Sequence, residues 1–348
     1  MSSPIYALPR RSRILVTGAN GYIASHVCDP LLKLGYRVRG TTRTPKPWLD
    51  EYFGAKYGGK LETVLVTSFE DQETLSRVLD DVQGVIHVAS DVTFGPDPEA
   101  VIPWVVKAAV SILEAAAKRV SVKRVVLVSS SSAVYSLSPS PEGRTVDQGL
   151  LVSGLSRGER TDPSVLDSWN DKAVKTAWDP NTPANEKGVA VYSASKTEGE
   201  RHAWKWVREH DPHYKFNTII PCFNLGTILH PEIFRSSMGY VRNLLKGDAT
   251  AVMMFEELTE HFVDVEDVAR LCIVGLLDSV MTWPELVSRI RKLRPNDTLI
   301  PDALDKGIRD QKKVVSRDRA EELLQEFFGQ LGWIPIHESL ERGIEGWD

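Results

Sequence analysis

The sequence predicts an α/β protein with a doubly wound parallel sheet and a smaller second lobe. Two observations carry that prediction. Over the first 130 residues, strand-sized apolar runs alternate with helical stretches, and strands this apolar need helices on both faces of their sheet. The first apolar run also ends in a glycine turn that opens a helix, Thr17-Gly18-Ala19-Asn20-Gly21-Tyr22-Ile23-Ala24. That strand–turn–helix context gives a glycine-rich turn its meaning.

Residues 13–17 read as a strand, 21–34 as a helix and 37–42 as the second strand. Further strands fall at 61–66, 85–88 and 124–128, and the longest helical stretch of this half covers 100–119. Residues 136–190 break the rhythm. They are rich in Ser, Pro, Gly and charge and read mostly as loop, with a short helix over 164–177. A loop this long in a compact domain usually has a job, such as a lid. The helix carrying Tyr192 and Lys196 extends to residue 209 and leads into a strand at 215–220. Helices follow at 240–245, 265–277, 283–293 and 317–331. The expected layout is a tail over 1–13, a nucleotide-binding domain over 14–225 that includes the loop insertion 136–190, and a mostly helical substrate lobe over 226–348.

The bulk numbers set bounds. The chain has 348 residues, 42% hydrophobic and 26% charged, which suits one large domain or two intimate ones. A net charge of −5 without any basic run points away from nucleic acid. The longest apolar runs are strand-sized, so no membrane span is expected. The first 13 residues lack an apolar signal core. Cys28, Cys222 and Cys272 are scattered, with no C-x-x-C spacing. That pattern argues against disulfides and zinc and fits a reducing, cytoplasmic setting. His202, His210 and His213 show no H-E-x-x-H pattern, so no metal site is expected from them.

In the glycine turn, Gly18 permits the tight turn and Gly21 lets the backbone approach a pyrophosphate at the helix N-terminus. Ala24 takes the third position, where close helix–strand packing is needed. The expected fold is therefore of Rossmann type, with Gly18, Asn20, Gly21, Tyr22 and Ile23 at the cofactor. An NAD site wants a carboxylate at the end of the second strand. Here stand Arg39-Gly40-Thr41-Thr42-Arg43 and then Lys46. Arg43 suits the 2′-phosphate of NADP, whereas Arg39 and Lys46 are equally readable as solvated charges.

Tyr192 and Lys196 are four residues apart and so share one helix face. A phenol alone titrates near pH 10, about 4 kcal/mol from neutrality at 1.36 kcal/mol per unit. A nearby ammonium favours the phenolate and lowers that pKa. Such a pair can pass a proton to a carbonyl oxygen.

Together these segments resemble the extended short-chain dehydrogenase/reductase superfamily, of NAD(P)-dependent epimerase/dehydratase type. Within it the chain is most similar to the dihydroflavonol-4-reductase-like group, close to fungal NADPH-dependent aldehyde and methylglyoxal reductases. The matching segments are the glycine turn, Val85-Ile86-His87-Val88-Ala89-Ser90, residues 125–130 and Asp167-Ser168-Trp169-Asn170. They continue with Tyr192-Ser193-Ala194-Ser195-Lys196, Pro221-Cys222-Phe223-Asn224-Leu225-Gly226 and His261-Phe262-Val263-Asp264-Val265-Glu266-Asp267-Val268-Ala269.

The resemblance implies roles. Tyr192 matches the proton donor, and Lys196 the residue that holds the nicotinamide ribose and tunes the tyrosine. A serine of the run Ser129-Ser130-Ser131-Ser132 polarises the substrate carbonyl; counting from the strand end gives Ser130, with Ser131 next in line. Ala89 and Ser90 lie along the cofactor, Pro221 and Phe223 by the nicotinamide, and Tyr135 at the substrate. Ser68, with Thr67 beside it as the alternative, takes the adenine position, although the group normally carries an acidic residue there. His87 and His261 read as structural, Cys222 as apolar filler, and Trp169, Trp178, Trp204 and Trp206 as core packing or partly exposed aromatics. The stretch before Tyr192 is longer than usual, with the surplus at 137–163, which suggests a bulkier ketone, as in secondary metabolism. The connection 277–283 is short, so either the substrate-lobe sheet is expected to lack a strand or the pocket to be more open.

The function read from this is reduction of an aldehyde or ketone by NADPH, acting on a small-molecule carbonyl as a monomer or homodimer. Two other readings stay open: an NAD-dependent sugar-nucleotide epimerase or dehydratase, and a non-catalytic NADP-sensing binding protein.

Overall fold

A computed structural model of the chain describes residues 8–135, 145–146, 169–233, 237–255, 259–274, 280–282, 313–314, 321–322, 324–325 and 328–346. Its centre is a six-stranded, all-parallel sheet. The strands are β1 (Arg13–Thr17), β2 (Arg37–Thr42), β3 (Leu61–Leu65), β4 (Gly84–His87), β5 (Arg124–Val128) and β7 (Lys215–Ile219), in spatial order β3-β2-β1-β4-β5-β7. The order reverses between β1 and β4, which opens a crevice at the carboxyl ends of those strands, the ligand position in doubly wound sheets.

Helices α1 (Tyr22–Lys33), α2 (Pro47–Tyr57), α3 (Gln72–Val78), α4 (Pro98–Ala117) and α6 (Ala184–His210) cover the sheet, and α5 (Asp171–Trp178) packs against α6. Their starts follow capping chemistry. Asp71 accepts from Thr74 N–H, and Asp97 accepts from Glu99 and Ala100 N–H with Pro98 in the first turn. Helix α4 is long and apolar enough to cross a membrane, although its sequence holds no single apolar run of that length. Val105, Ala109, Ile112 and Ala116 on its buried side belong to the core, which accounts for its apolarity.

The strands expected at 13–17, 37–42 and 124–128 match residue for residue, and the others lie within one residue of expectation at each end. The described part of the lobe holds strands beside its helices. A second sheet joins β8 (Phe223–Leu225), parallel, to β9 (Thr259–Asp264), and β9, antiparallel, to β10 (Val280–Thr282). β10 lies inside the 277–283 connection, which corrects the expectation of a missing strand: three residues suffice to pair there. A two-residue ladder joins β6 (Thr145–Val146) to β11 (Lys313–Val314). The lobe helices are α7 (Ser237–Leu244), α8 (Thr250–Phe255), α9 (Val265–Val274) and α10 (Ile336–Ile344). The helix expected over 283–293 and most of the 137–163 surplus lie outside the described residues, whereas within 317–331 residues 321, 322, 324, 325 and 328 are helical.

The lobe shares its core with the nucleotide-binding half. Val16, Ala24 and Val27 pack in one cluster with Leu225, Met238, Phe262, Leu340 and Ile344. Polar bonds fix the join. Tyr22 Oη, in the glycine-turn motif, donates to Gly226 O at 2.8 Å. Asp264 is buried, and Arg342 of α10 reaches its carboxylate at 2.9 Å while bonding Glu266 at 2.7 Å. Burial pushes the Asp264 pKa up to about 6, against the pull of Ser339 and Arg342. The Asp267 carboxylate accepts from Arg270, Gln330 and Ile334 N–H.

Arg342→Ala strands the Asp264 carboxylate in the core. The expected loss is about 3 kcal/mol, the low end for a broken buried pair because Arg342 retains partial exposure. Urea unfolding of the variant beside Arg270→Ala, whose loss is smaller, checks it.

Candidate active site

The crevice is built by three strand exits. At the first, Gly18 has φ +66°, and a Cβ there would lie 3.3 Å from Ala89 Cα. A Cβ on Gly21 would lie 3.1 Å from Gly18 O. The turn is thus a bare main-chain cradle. Thr17 Oγ1 accepts from the N–H groups of Val88 and Ala89 at 3.0 Å each and lies 2.9 Å from His87 Nδ1, so the exit of β4 is folded against the glycine turn. Burial, then the Lys196 charge, holds His87 down to about 3, so the ring is neutral and structural. Ser90 Oγ is buried with no hydrogen-bond partner among the described residues. A side-chain-free cradle beside an orphaned hydroxyl fits a dinucleotide. Asn20 and Ile23 stay partly exposed at the mouth. The Tyr22 phenol is committed to Gly226, so only its main-chain N–H is left for a ligand.

At the end of β2 the cations divide. Arg39 donates to Glu62 Oε1 at 2.6 Å and to the carbonyls of Val78 and Asp80 at 2.8 Å, so it belongs to the sheet edge. Arg43 is exposed and has no partner among the described residues. Lys46 is half-buried and likewise unpartnered there. After β3, Ser68 Oγ accepts from Glu70 N–H at 3.1 Å, which fixes that loop.

At the third exit, β5 leads into the serine run. Ser129 N–H donates to Ile219 O at 2.7 Å and Ser131 N–H to Pro221 O at 2.9 Å, tying the turn to the segment after β7. Residues Ser131–Ala133 form one 3₁₀ turn, packed against α6. The two candidate hydroxyls have different employment. Ser130 Oγ caps the turn, accepting from Ser132 N–H at 3.3 Å and from Ser132 Oγ at 3.0 Å. Ser131 Oγ has no protein partner among the described residues.

Tyr192 and Lys196 lie one turn apart on α6, with Lys196 Nζ 5.8 Å from the Tyr192 ring centroid. Tyr192 is half-buried and Lys196 buried, 7% exposed. Burial pulls the Lys196 pKa down to about 8, and the negative charges of Glu200 and Asp91 oppose that fall. Glu200, one turn further on, is buried, and burial raises its own pKa. Ser129, Thr218 and Trp204 turn donors toward its carboxylate and draw that pKa back, although none reaches good hydrogen-bond geometry.

The site also contains residues the motifs did not flag. Phe94, at φ +54°, sets its ring 4.7 Å from that of Tyr192. Phe94, Tyr240, Phe255 and Phe223 continue as an edge-to-face cluster with centroids 5.9–6.4 Å apart. These aromatics lie far apart in sequence, and no local signal links them. Glu200 had one signal, its four-residue spacing from Lys196. Tyr135, at the end of the serine turn, bonds His261 Nδ1 at 3.1 Å. The tryptophans are packing residues: Trp204 packs on Phe216, Trp206 on His210, and Trp169 under Arg201, while Trp178 is largely exposed.

A Rossmann-type sheet with a Tyr–Lys helix beside a serine turn defines a class of nucleotide-dependent proteins, and comparison with known proteins narrows it. The model of the NAD dependent epimerase/dehydratase family matches residues 14–152. The chain is 39% identical to ketoreductase nvfG of Aspergillus novofumigatus, over 99% of each chain. It is 33% identical to aldehyde reductase 2 of Sporidiobolus salmonicolor, over 96% of this chain and 95% of that one. Yeast methylglyoxal/isovaleraldehyde reductase Gre2, solved with NADPH, shares the fold with a TM-score of 0.71 at 20% identity, covering 95% of this chain and 96% of its own. The chain belongs to the NAD-dependent epimerase/dehydratase family.

Lys196 gives a pH signature independent of any ligand. Its folded pKa near 8 lies below the unfolded value of 10.5, so between those pH values the unfolded chain binds more protons. This group therefore makes stability rise with pH across that window. The expected outcome is that Lys196→Met is more stable than wild type at pH 7.5 and that the gap narrows by pH 10, measured by urea unfolding.

Proposed function

We propose that this chain is an NADPH-dependent carbonyl reductase that converts a bulky, apolar ketone or aldehyde to the alcohol. The observation that supports the reading is a half-buried phenol, a buried ammonium one turn away on the same helix, and an uncommitted serine hydroxyl on a turn packed against that helix. The names of the relatives, ketoreductase and aldehyde reductase, support it.

The glycine turn, Ala89, Ser90 and the segment Pro221–Phe223 fit the dinucleotide, and the unpartnered Arg43 fits a 2′-phosphate. When bound, the reduced nicotinamide supplies hydride to the carbonyl carbon. Tyr192 gives its phenolic proton to the oxygen as negative charge develops there. Lys196 holds the ribose and, as a cation in a buried setting, lowers the cost of the phenolate that remains. We assign polarisation of the carbonyl to Ser131 in preference to Ser130, because Ser130 Oγ serves as the cap of the turn. Removing one such donor costs about 10²–10³ in kcat. Phe94 stands beside Tyr192 and is backed by Tyr240 and Phe255, an aromatic wall that favours an aromatic or alicyclic substrate over a small aldehyde.

The test is NADPH and NADH oxidation against aldehydes, diketones and aromatic ketones. Tyr192→Phe is expected to lose turnover while still binding NADPH. Ser131→Ala should lose about 10²-fold in kcat and Ser130→Ala far less; the reverse order returns the role to Ser130. NAD that stays bound through purification, with no carbonyl reduced, supports an epimerase or dehydratase instead. At the cofactor, Arg43→Ala should weaken NADPH binding by about tenfold or more, as expected from the loss of a charge-assisted bond of 1.5–3 kcal/mol. NADH binding should stay unchanged, both read by fluorescence titration.

A further inference from the structure

We propose that Asn170 is a positioning residue of this site: it clamps the serine turn in register with the helix that bears Tyr192 and Lys196. The proposal rests on the reductase reading given above.

Asn170 is buried, and every polar group it owns is used. Its Nδ2 donates to Ser132 O at 2.9 Å and to Tyr135 O at 3.0 Å. Its Oδ1 accepts from Ala173 N–H at 3.1 Å, capping α5, and its own N–H donates to Ala133 O at 3.0 Å. The partners fix the orientation of the amide, because two carbonyls need donors and an N–H needs an acceptor. Only an amide can do both tasks at once. A hydroxyl or carboxylate could cap the helix, but it could not donate twice to the turn.

The carbonyls it holds flank the reacting groups. Ser132 and Ala133 follow Ser131, and Tyr135 ends the turn, where its hydroxyl meets His261. On its other side, Asn170 sits between two residues tied to α6. Trp169 lies 5.4 Å beneath the Arg201 guanidinium, and Asp171 pairs with that guanidinium, which also bonds Glu198 at 2.7 Å. A single residue thus joins the strand-exit turn to the catalytic helix. The turn is also held by its Ser130 cap and by the bonds from Ser129 N–H to Ile219 O and Ser131 N–H to Pro221 O, but none of these reaches its far end at Tyr135 O. Without the clamp, the turn keeps its sequence but loses its fixed distance to Tyr192. Proton donation and carbonyl polarisation need both groups within bonding reach of one oxygen.

The test separates clamp from cap. Asn170→Asp keeps an acceptor for Ala173 N–H and so preserves the cap, but it removes both donations and sets a carboxylate against two carbonyls. The variant is expected to fold and to bind NADPH within twofold of wild type. Its kcat should fall at least tenfold on the carbonyl that wild type reduces fastest, with benzaldehyde as the first probe. Peptides covering 131–135 should exchange amide hydrogen faster. In a Ser131→Ala background the same substitution should cost less than threefold, because the group it positions is gone. If Asn170→Asp unfolds, Asn170→Ser, which also retains a capping oxygen, carries the same comparison. The inference is overturned by wild-type kcat in either variant, by unchanged exchange at 131–135, or by an equal loss in the Ser131→Ala background. A wild-type protein that reduces no carbonyl overturns the reductase reading and takes this inference with it. Wild-type turnover with an unaffected variant overturns the inference alone.

Discussion

A buried ammonium is the constraint on which the site depends. Lys196 is almost wholly removed from water, and an uncompensated charge there would shed its proton. Burial does draw its pKa down, to about 8, and the carboxylates of Glu200 and Asp91 limit the fall. Glu200 in turn is held inside the fold among Ser129, Thr218 and Trp204, on the strands and helix that border the serine turn. The cation beside Tyr192 is therefore supported from β4, β5, β7 and α6 together. Its neighbour His87 is kept neutral by the same burial, so it adds no competing charge.

The second lobe acts as a wall more than as a separate domain. Tyr22, in the first helix, bonds the carbonyl of Gly226, where the lobe begins. Asp264 and Asp267 anchor the C-terminal segment through Arg342, Gln330 and the main chain of Ile334. Buried carboxylates are costly unless paired and hydrogen-bonded, so these contacts specify one docking geometry. That geometry brings Phe223, Tyr240 and Phe255 up to Phe94 and hence to Tyr192. The ring of Phe94 is held there by backbone in the left-handed region, a conformation a bulky residue adopts only when its surroundings over-determine it.

The serine turn shows how positional precision is shared out. One hydroxyl of the run caps, one is left uncommitted, and the carbonyls are held by Asn170. Four consecutive serines look interchangeable as a string. They are not interchangeable once one of them must satisfy the N-terminal N–H of a 3₁₀ turn.

Read along the chain alone, the residues suffice for the sheet, the glycine turn, the helix with Tyr192 and Lys196 on one face, and the absence of a ribose-binding carboxylate after β2. Each of these is local: it depends on periodicity, on a φ only glycine takes easily, or on a four-residue spacing. Tertiary structure decided what depends on residues distant in the chain. It assigned Arg39 to Glu62 and left Arg43 unpartnered, and it paired β10 with β9 across a connection too short to read as a strand. It set Phe94 against Tyr192 with Phe255 behind it, and it placed Asn170, singled out only as part of a motif, against the turn that carries Ser131. The physical reason is the same in each case. Propensity and pattern are written along the chain, whereas desolvation and hydrogen-bond pairing are settled by which groups share a volume after folding.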